Sequence, residues 1–86
     1  MQFKRGQIVR SAAGRDKGYY LTVVGFEDGN PRFCDGKERP LERPKSKNIK
    51  HIQDTGEYLA EAQMATDRAI RRALREYAQR HENSKV

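Results

Sequence analysis

Residues 6–18 read GQIVRSAAGRDKG, and residues 19–26 continue as YYLTVVGF. The pattern predicts a short strand, a tight loop and a second strand. Gly14 and Gly18 permit a sharp reversal of the backbone. The aromatic and β-branched residues of the second run suit a pleated surface. This stretch therefore predicts two antiparallel strands that hold a compact loop between them.

The loop carries two cations on either side of one acid. Arg15 and Lys17 alternate around Asp16, so both cations are able to project from the same rim. A guanidinium group binds phosphate through two parallel hydrogen bonds, while an ammonium group acts as a point charge. We predict that Arg15 and Lys17 contact phosphate, with an ordinary basic hairpin loop as the alternative.

Short extended runs continue to about residue 53. Asp-Gly and Gly-Asn pairs are typical of the turns between strands. Pro40 and Pro44 would confine a strand near them to the edge of a sheet. The further runs that we interpret as extended are residues 32–34, 38–42 and 49–52. Residues 1–53 are therefore predicted to form a small antiparallel barrel.

Residues 54–86 are predicted to be helical and to pack on the barrel. Thr66 and Asp67 are typical of a helix N-terminus. Apolar residues then recur with helical spacing and make one stripe: Ile70, Ala73, Leu74, Tyr77 and Ala78. A shorter helix is predicted from about Gly56 to Met64, and the residues from Glu82 onward are expected to fray.

The chain has 86 residues and a formal net charge of +6. This length allows one small domain. The excess of positive charge lies before His51, because the residues from His51 onward carry equal numbers of both signs. Such an excess favours a polyanionic partner, although many small basic proteins bind none.

Several function classes find no support in the residues. Cys34 is the only cysteine, so no intrachain disulfide forms, and with His51 and His81 it makes no structural zinc site. No catalytic motif or phosphate-binding P-loop is present. No apolar run suits a signal peptide or a membrane span. We therefore expect a cytoplasmic protein that is not an enzyme, needs no cofactor, makes no membrane contact and is monomeric when free.

A basic tract lies near the C-terminal end of the predicted barrel. Residues 43–50 contain four cations and no acid: Arg43, Lys45, Lys47 and Lys50. Pro44 keeps the preceding residue extended, which spreads the charges along a rim. We predict that these four side chains contact phosphate groups. A solvated linker is the alternative.

Helical spacing also places four arginines on one face, roughly opposite the apolar stripe: Arg68, Arg71, Arg72 and Arg75. This face is interpreted as solvated, as an RNA contact or as a surface for a partner protein. Tyr19 and Tyr20 point to opposite faces of one strand. Packing of both tyrosines in the core or at its rim is favoured over stacking on an unpaired base. Cys34 is expected in the core, and His51 on the surface.

Residues 6–25 resemble the KOW motif of ribosomal proteins and transcription elongation factors. Gly18 matches the near-obligatory glycine of that motif. Four further segments extend the resemblance to nearly the whole chain: residues 34–36, 43–45, 49–51 and 66–77. The chain is similar to small bacterial KOW-domain RNA-binding proteins related to the large-subunit ribosomal protein L14e group. Tyr19-Tyr20 and Pro31 to Cys34 depart from the usual pattern of the family.

The resemblance implies an SH3-like barrel that binds RNA, with ribosomal RNA as the expected partner and ribosomal proteins as further neighbours. It implies that Arg15 and Lys17 contact RNA and that Gly18 is a structural requirement. Gly14 is predicted to be structural because it permits the sharp reversal of the loop. The alternative function is a protein-interaction module that contacts the transcription or translation machinery. An enzyme is the least favoured of the three.

Overall fold

The computed structural model describes residues 2–82. Four antiparallel strands form one sheet in the order β3-β2-β1-β4, and one long helix follows them. The strands are β1 (Gln7–Ser11), β2 (Tyr20–Glu27), β3 (Asn30–Cys34) and β4 (Ile52–Tyr58), and the helix is α1 (Asp67–Glu82). Short 3₁₀ turns lie at Ile49–His51 and Glu61–Met64. The prediction of a mainly β chain with a helical C-terminal part is confirmed. Among the described residues β3 and β4 do not pair, so the sheet is open.

Both faces of the sheet are covered. Successive side chains of a strand point to opposite faces, which explains why the run from Leu21 to Val24 is buried throughout. One face gathers a cluster of apolar residues from all four strands: Val9, Leu21, Val23, Phe33 and Ile52. The other face packs against α1 and contributes Ile8, Val24 and Cys34.

The predicted apolar stripe of α1 is confirmed. Four of its five members are buried, namely Ile70, Ala73, Leu74 and Tyr77. The predicted N-terminal cap is also present, because the backbone N–H of Ala69 donates to Oγ1 of Thr66 at 3.1 Å. The ring of Tyr77 meets that of Tyr20 edge-on, with ring centroids 5.0 Å apart. The helix therefore lies on the sheet through the contacts that the sequence indicates.

The prediction of a strand at residues 38–42 is wrong, because this segment forms turns. One carboxylate oxygen of Asp35 accepts hydrogen bonds from the backbone N–H groups of Lys37 and Arg39. The N–H of Leu41 donates to Oδ1 of Asp67 at 2.7 Å. Side chains thus satisfy backbone groups that a neighbouring strand would otherwise satisfy.

The helix predicted from Gly56 to Met64 is also wrong. β4 continues to Tyr58, and only Glu61–Met64 turns, as a 3₁₀ helix. The extended piece predicted at residues 49–52 is a 3₁₀ turn that leads into β4. β4 pairs with β1, with Ser11 opposite Ile52 and Gln7 opposite Tyr58. This pairing satisfies backbone groups of residues 52–58, whereas a helix as short as the predicted one is only marginally stable by itself.

Residues 83–86, where fraying is predicted, lie outside the described residues. Within residues 2–82 no helix is both long enough and apolar enough to cross a membrane.

Candidate functional site

The β1–β2 loop, residues 12–19, is closed by backbone hydrogen bonds at its base. The N–H of Ser11 donates to the carbonyl of Tyr19 at 2.9 Å, and the N–H of Gly18 donates back to the carbonyl of Ser11 at 2.7 Å. Gly14 and Gly18 have φ values of +90° and +89°. In this left-handed region of φ, a residue with a Cβ atom has a strained backbone, and glycine does not. Both positions therefore have the backbone conformation that glycine adopts without strain.

Asp16 points into the protein instead of into solvent. Only 5% of the residue is exposed. Its carboxylate accepts hydrogen bonds from Oγ of Ser11 at 2.8 Å, from Nζ of Lys47 at 2.9 Å and from the guanidinium of Arg39 at 2.9 Å. One buried acid thus forms ion pairs with two cations that lie in a different part of the chain.

This network changes the protonation of the acid. Burial by itself raises the pKa of Asp16, but the hydrogen bonds from Lys47, Ser11 and Arg39, together with the charge of Lys47, lower that pKa to about 2. The carboxylate is therefore ionised at neutral pH, and its one negative charge faces two positive charges.

Lys47 is one of the cations that the sequence assigns to phosphate contact, yet the structure turns it inward. Its side chain is 12% exposed, and Nζ also lies 3.4 Å from the carbonyl oxygen of Ala13. Lys47 therefore joins the segment before β4 to the inside of the β1–β2 loop. Arg39, which holds the other carboxylate oxygen, plays a part that sequence reasoning missed.

Arg15 and Lys17 lie on the outer side of the loop and are exposed. Neither side chain forms an ion pair within the described part of the chain. Lys50 is exposed as well. The carbonyl of the next residue, His51, accepts a hydrogen bond from the N–H of Ala12 at 2.7 Å, which holds this part of the chain near the start of the loop. His51 is exposed, as predicted. Three of the six predicted contact residues thus share one end of the sheet.

The other two predicted contact residues lie elsewhere. The backbone of Lys45 pairs with that of Phe33, with hydrogen bonds of 2.8 and 3.0 Å. Arg43 lines a groove with Phe26 and Glu27, at the end of β2 that is remote from the β1–β2 loop. Both side chains are exposed, but the fold does not bring Arg43 together with the loop.

A second basic surface lies beside the loop. An open groove of about 710 Å³, here called the α1 groove, separates α1 from the start of β2. Its polar lining consists of Tyr19, Tyr20, Asp35 and Lys37 together with the arginine face of the helix, which comprises Arg68, Arg71, Arg72 and Arg75. Sequence reasoning found the arginine face, but it did not place that face opposite Tyr19 and Lys37.

The two tyrosines at this groove differ in their surroundings. Tyr20 packs on Tyr77, and the guanidinium of Arg10 lies 6.0 Å from the centre of the Tyr20 ring. Tyr19 is 66% exposed, contrary to the expectation that both rings would pack. Nε of Arg10 also donates to the carbonyl of Gly18 at 3.3 Å. Arg10, which the sequence did not single out, therefore lies between the loop and the α1 groove.

A close backbone approach fixes one wall of the α1 groove. Gly36 has a φ of +76°, and a Cβ atom at this position would overlap the carbonyl oxygen of Asp67. A guanidinium NH of Arg71 donates to the carbonyl of Gly36 at 2.6 Å. The turn after β3 and the first turn of α1 are therefore held against each other.

Cys34 is buried between the sheet and α1, as predicted, and burial raises the pKa of its thiol to about 11. Among residues 2–82, no group of three or more His, Cys, Asp or Glu side chains is placed to hold a metal ion.

Comparison of the chain with protein-family models and with curated proteins finds no match. The resemblance to KOW proteins therefore stays a prediction, and function is inferred from the side chains themselves.

Proposed function

We propose that the protein is a cytoplasmic KOW-type RNA-binding protein that recognises ribosomal RNA or ribosomal particles. The β1–β2 loop contacts the phosphate backbone, with Arg15 and Lys17 as its leading cations. Lys50 extends the same face, and Lys45 is a further contact. The interaction is binding by charge and shape, with no chemical step.

One observation carries this proposal. Asp16, the only acid of the loop, points into the protein, where cations from another part of the chain balance its charge. Asp16 is bonded to Lys47 and Arg39, so it does not offset Arg15 and Lys17 on the outer side. A loop that is held by hydrogen bonds from inside and exposes cations alone suits a phosphate backbone, because such contacts require positive charge at fixed positions. A solvated hairpin loop has no need of two partly buried cations to hold its acid.

The surroundings of the open sheet support a barrel-like closure. The segment between β3 and β4 bonds to β3 through Lys45 and Phe33, and it bonds to the end of β1 through His51 and Ala12. It thus connects β3, at one edge of the sheet, to the end of the central strand β1 before it continues into β4. This arrangement, with a strand, a glycine-bounded loop and a second strand, is what we expect of an SH3-like KOW barrel.

A salt titration of RNA binding tests the proposal. We expect the affinity for purified ribosomal RNA to fall steeply with salt, because each phosphate contact releases counterions. Replacing Arg15 and Lys17 together by Ala is expected to reduce the slope of log affinity against log salt by roughly one unit per lost contact. Filter binding over a range of salt concentrations measures both quantities.

The matched control is the double variant Lys4→Ala with Arg43→Ala. It removes the same charge from exposed positions, one before β1 and one beside Glu27, both remote from the β1–β2 loop. We expect its slope to stay close to that of the unmodified protein. Equal loss of slope in both double variants contradicts a role for the loop. Retained RNA binding with lost association to ribosomal particles would instead indicate a protein partner.

A further inference from the structure

We propose that the α1 groove holds an unpaired nucleotide of RNA, with its base stacked on Tyr19 and its flanking phosphates bound by Arg68 and Arg75. This inference rests on the proposed RNA binding and adds the form of RNA that is recognised, namely a single-stranded segment next to the region that the β1–β2 loop contacts.

Tyr19 supplies a free aromatic face at the rim of the groove. The residue is 66% exposed, and within the described chain its ring makes no aromatic contact. The neighbouring Tyr20 shows the alternative arrangement, since its ring packs edge-on against Tyr77. Aromatic side chains that stand free in basic grooves are the usual stacking platforms for unpaired bases.

The arginines opposite Tyr19 are placed to bind a phosphate backbone. Arg68 and Arg75 lie seven residues apart on one face of α1, or about 10 Å along the helix axis. Neither forms an ion pair among residues 2–82. Each presents a fork of N–H donors that matches phosphate. Two such forks along one wall fit a strand better than they fit an isolated ion.

The remaining polar groups of the groove leave this positive field intact. Arg71 uses one NH to hold the carbonyl of Gly36 and keeps its other donors. Arg72 pairs with Glu76 at 3.2 Å in an exposed contact, which is a weak type of interaction. Among residues 2–82, Asp35 is the only acid that lines the groove, and its Oδ1 accepts hydrogen bonds from two backbone N–H groups of its own turn.

The geometry favours an unpaired base over a duplex. In a duplex the base faces are covered by stacking, and the deep major groove of A-form RNA excludes side chains. An exposed tyrosine gains nothing from such a surface. A groove of about 710 Å³ lies within the usual size range of small-ligand sites and accommodates a nucleotide in its open mouth.

Two substitutions of Tyr19 test the stacking contact. The probes are a short fluorescein-labelled single-stranded RNA of mixed sequence and a blunt RNA duplex of the same length, measured by fluorescence anisotropy. Tyr19→Ala is expected to weaken binding of the single strand roughly tenfold and to leave the duplex unchanged. Tyr19→Phe keeps the ring and is expected to bind the single strand within about twofold of the unmodified protein. Unchanged single-strand affinity in Tyr19→Ala, or an equal loss for both RNAs, overturns the proposal.

A pair of arginine variants tests the phosphate contacts. Replacing Arg68 and Arg75 together by Ala is expected to reduce the salt slope for the single strand by about 0.7 per lost contact. The control, Lys4→Ala with Arg80→Ala, removes the same charge outside the groove and is expected to keep the slope. Equal slopes in the two double variants overturn the assignment.

The loop variants separate this proposal from the function on which it rests. If Arg15→Ala with Lys17→Ala weakens binding to ribosomal RNA while Tyr19→Ala leaves single-strand binding intact, the groove assignment falls and RNA binding stands. If neither the loop variants nor the groove variants change RNA binding, the proposed function and the groove assignment are both overturned. If the groove variants lose binding to a ribosomal protein and keep binding to RNA, the groove is a protein contact and the nucleotide proposal is overturned.

Discussion

Oδ1 of Asp16 lies 2.9 Å from Nζ of Lys47, which is 31 residues further along the chain. The contact joins the inside of the β1–β2 loop to the segment that precedes β4. Arg39 holds the second oxygen of the same carboxylate. A loop that is held from inside in this way keeps a fixed outer shape, and fixed outer cations are what the proposed RNA contact requires.

We expect Asp16→Asn to lower the free energy of unfolding by roughly 3–5 kcal/mol at neutral pH, because it leaves two partly buried cations without their acid. Urea denaturation measures the loss. The control is Asp28→Asn in the exposed turn after β2, where φ is +53° and asparagine is well tolerated. A loss in Asp16→Asn no larger than that of the control contradicts the structural role of the network.

The same acid predicts a pH dependence. The pKa of Asp16 in the folded protein, about 2, lies below its ordinary value. The stabilisation is therefore complete above the ordinary pKa, near pH 4, and it is lost as the pH falls through about 2. Over this window the unmodified protein should lose about 2 kcal/mol that Asp16→Asn does not lose. Denaturation series at several acidic pH values check this, and parallel curves for the two proteins would contradict it.

Substitution of Lys47 is expected to change stability, whereas substitution of Lys17 is expected to change the salt dependence of RNA binding. Lys47→Met should destabilise the protein, because it breaks the buried pair with Asp16, and it should leave the salt slope of RNA binding unchanged. Lys17→Ala should reduce the slope by about one unit with little change in stability. Denaturation and salt titration of both variants serve as mutual controls. A slope loss in a fully stable Lys47→Met protein would restore Lys47 as a phosphate contact.

Gly36→Ala is expected to be destabilising by more than about 2 kcal/mol, because it combines a positive φ with a clash against the backbone of α1. Gly29→Ala is the matched control: its φ is +81°, but nothing lies within 4 Å of an added Cβ. The difference in the free energy of unfolding between the two variants isolates the close approach. Equal losses would mean that strain in the backbone accounts for both.

Cys34 provides a probe of how firmly α1 lies on the sheet. The thiol is buried beneath the helix and its pKa is raised, so we expect slow reaction with a thiol reagent in the folded protein and fast reaction after denaturation. Ile70→Ala, which removes a fully buried helix contact at a cost of about 2–5 kcal/mol, should increase the labelling rate. Folded protein that labels as fast as denatured protein would show that the helix does not cover Cys34.

Local patterns predicted the elements that depend on local chemistry. The cap at Thr66 and the stripe from Ile70 to Tyr77 follow from helical spacing alone. The turn at Gly18 follows from a residue type that tolerates positive φ. β4 was missed because only Ile52 of that strand is buried. An edge strand with polar side chains gains its stability from backbone pairing with β1, and pairing of this kind leaves no periodic trace in the residues.

The candidate site was predicted in part, for a similar reason. The exposure of Arg15 and Lys17 follows from a loop of small and charged residues. The inward turn of Asp16 depends on Arg39 and Lys47, which reach it only after folding. The one signal available was that Asp16 is the sole acid in residues 1–26. The juxtaposition of Tyr19 with the arginine face likewise arises from how α1 lies on the sheet.

The pairing of β4 with β1 also governs when the protein acquires its structure. β1 is a central strand, and one of its two hydrogen-bonding edges is completed by residues 52–58. During synthesis, β1 therefore completes its pairing only after β4, about forty residues further along the chain, has been made. Contacts between distant parts of a chain slow folding, so we expect the sheet and the β1–β2 loop to become ordered together, in a single late step.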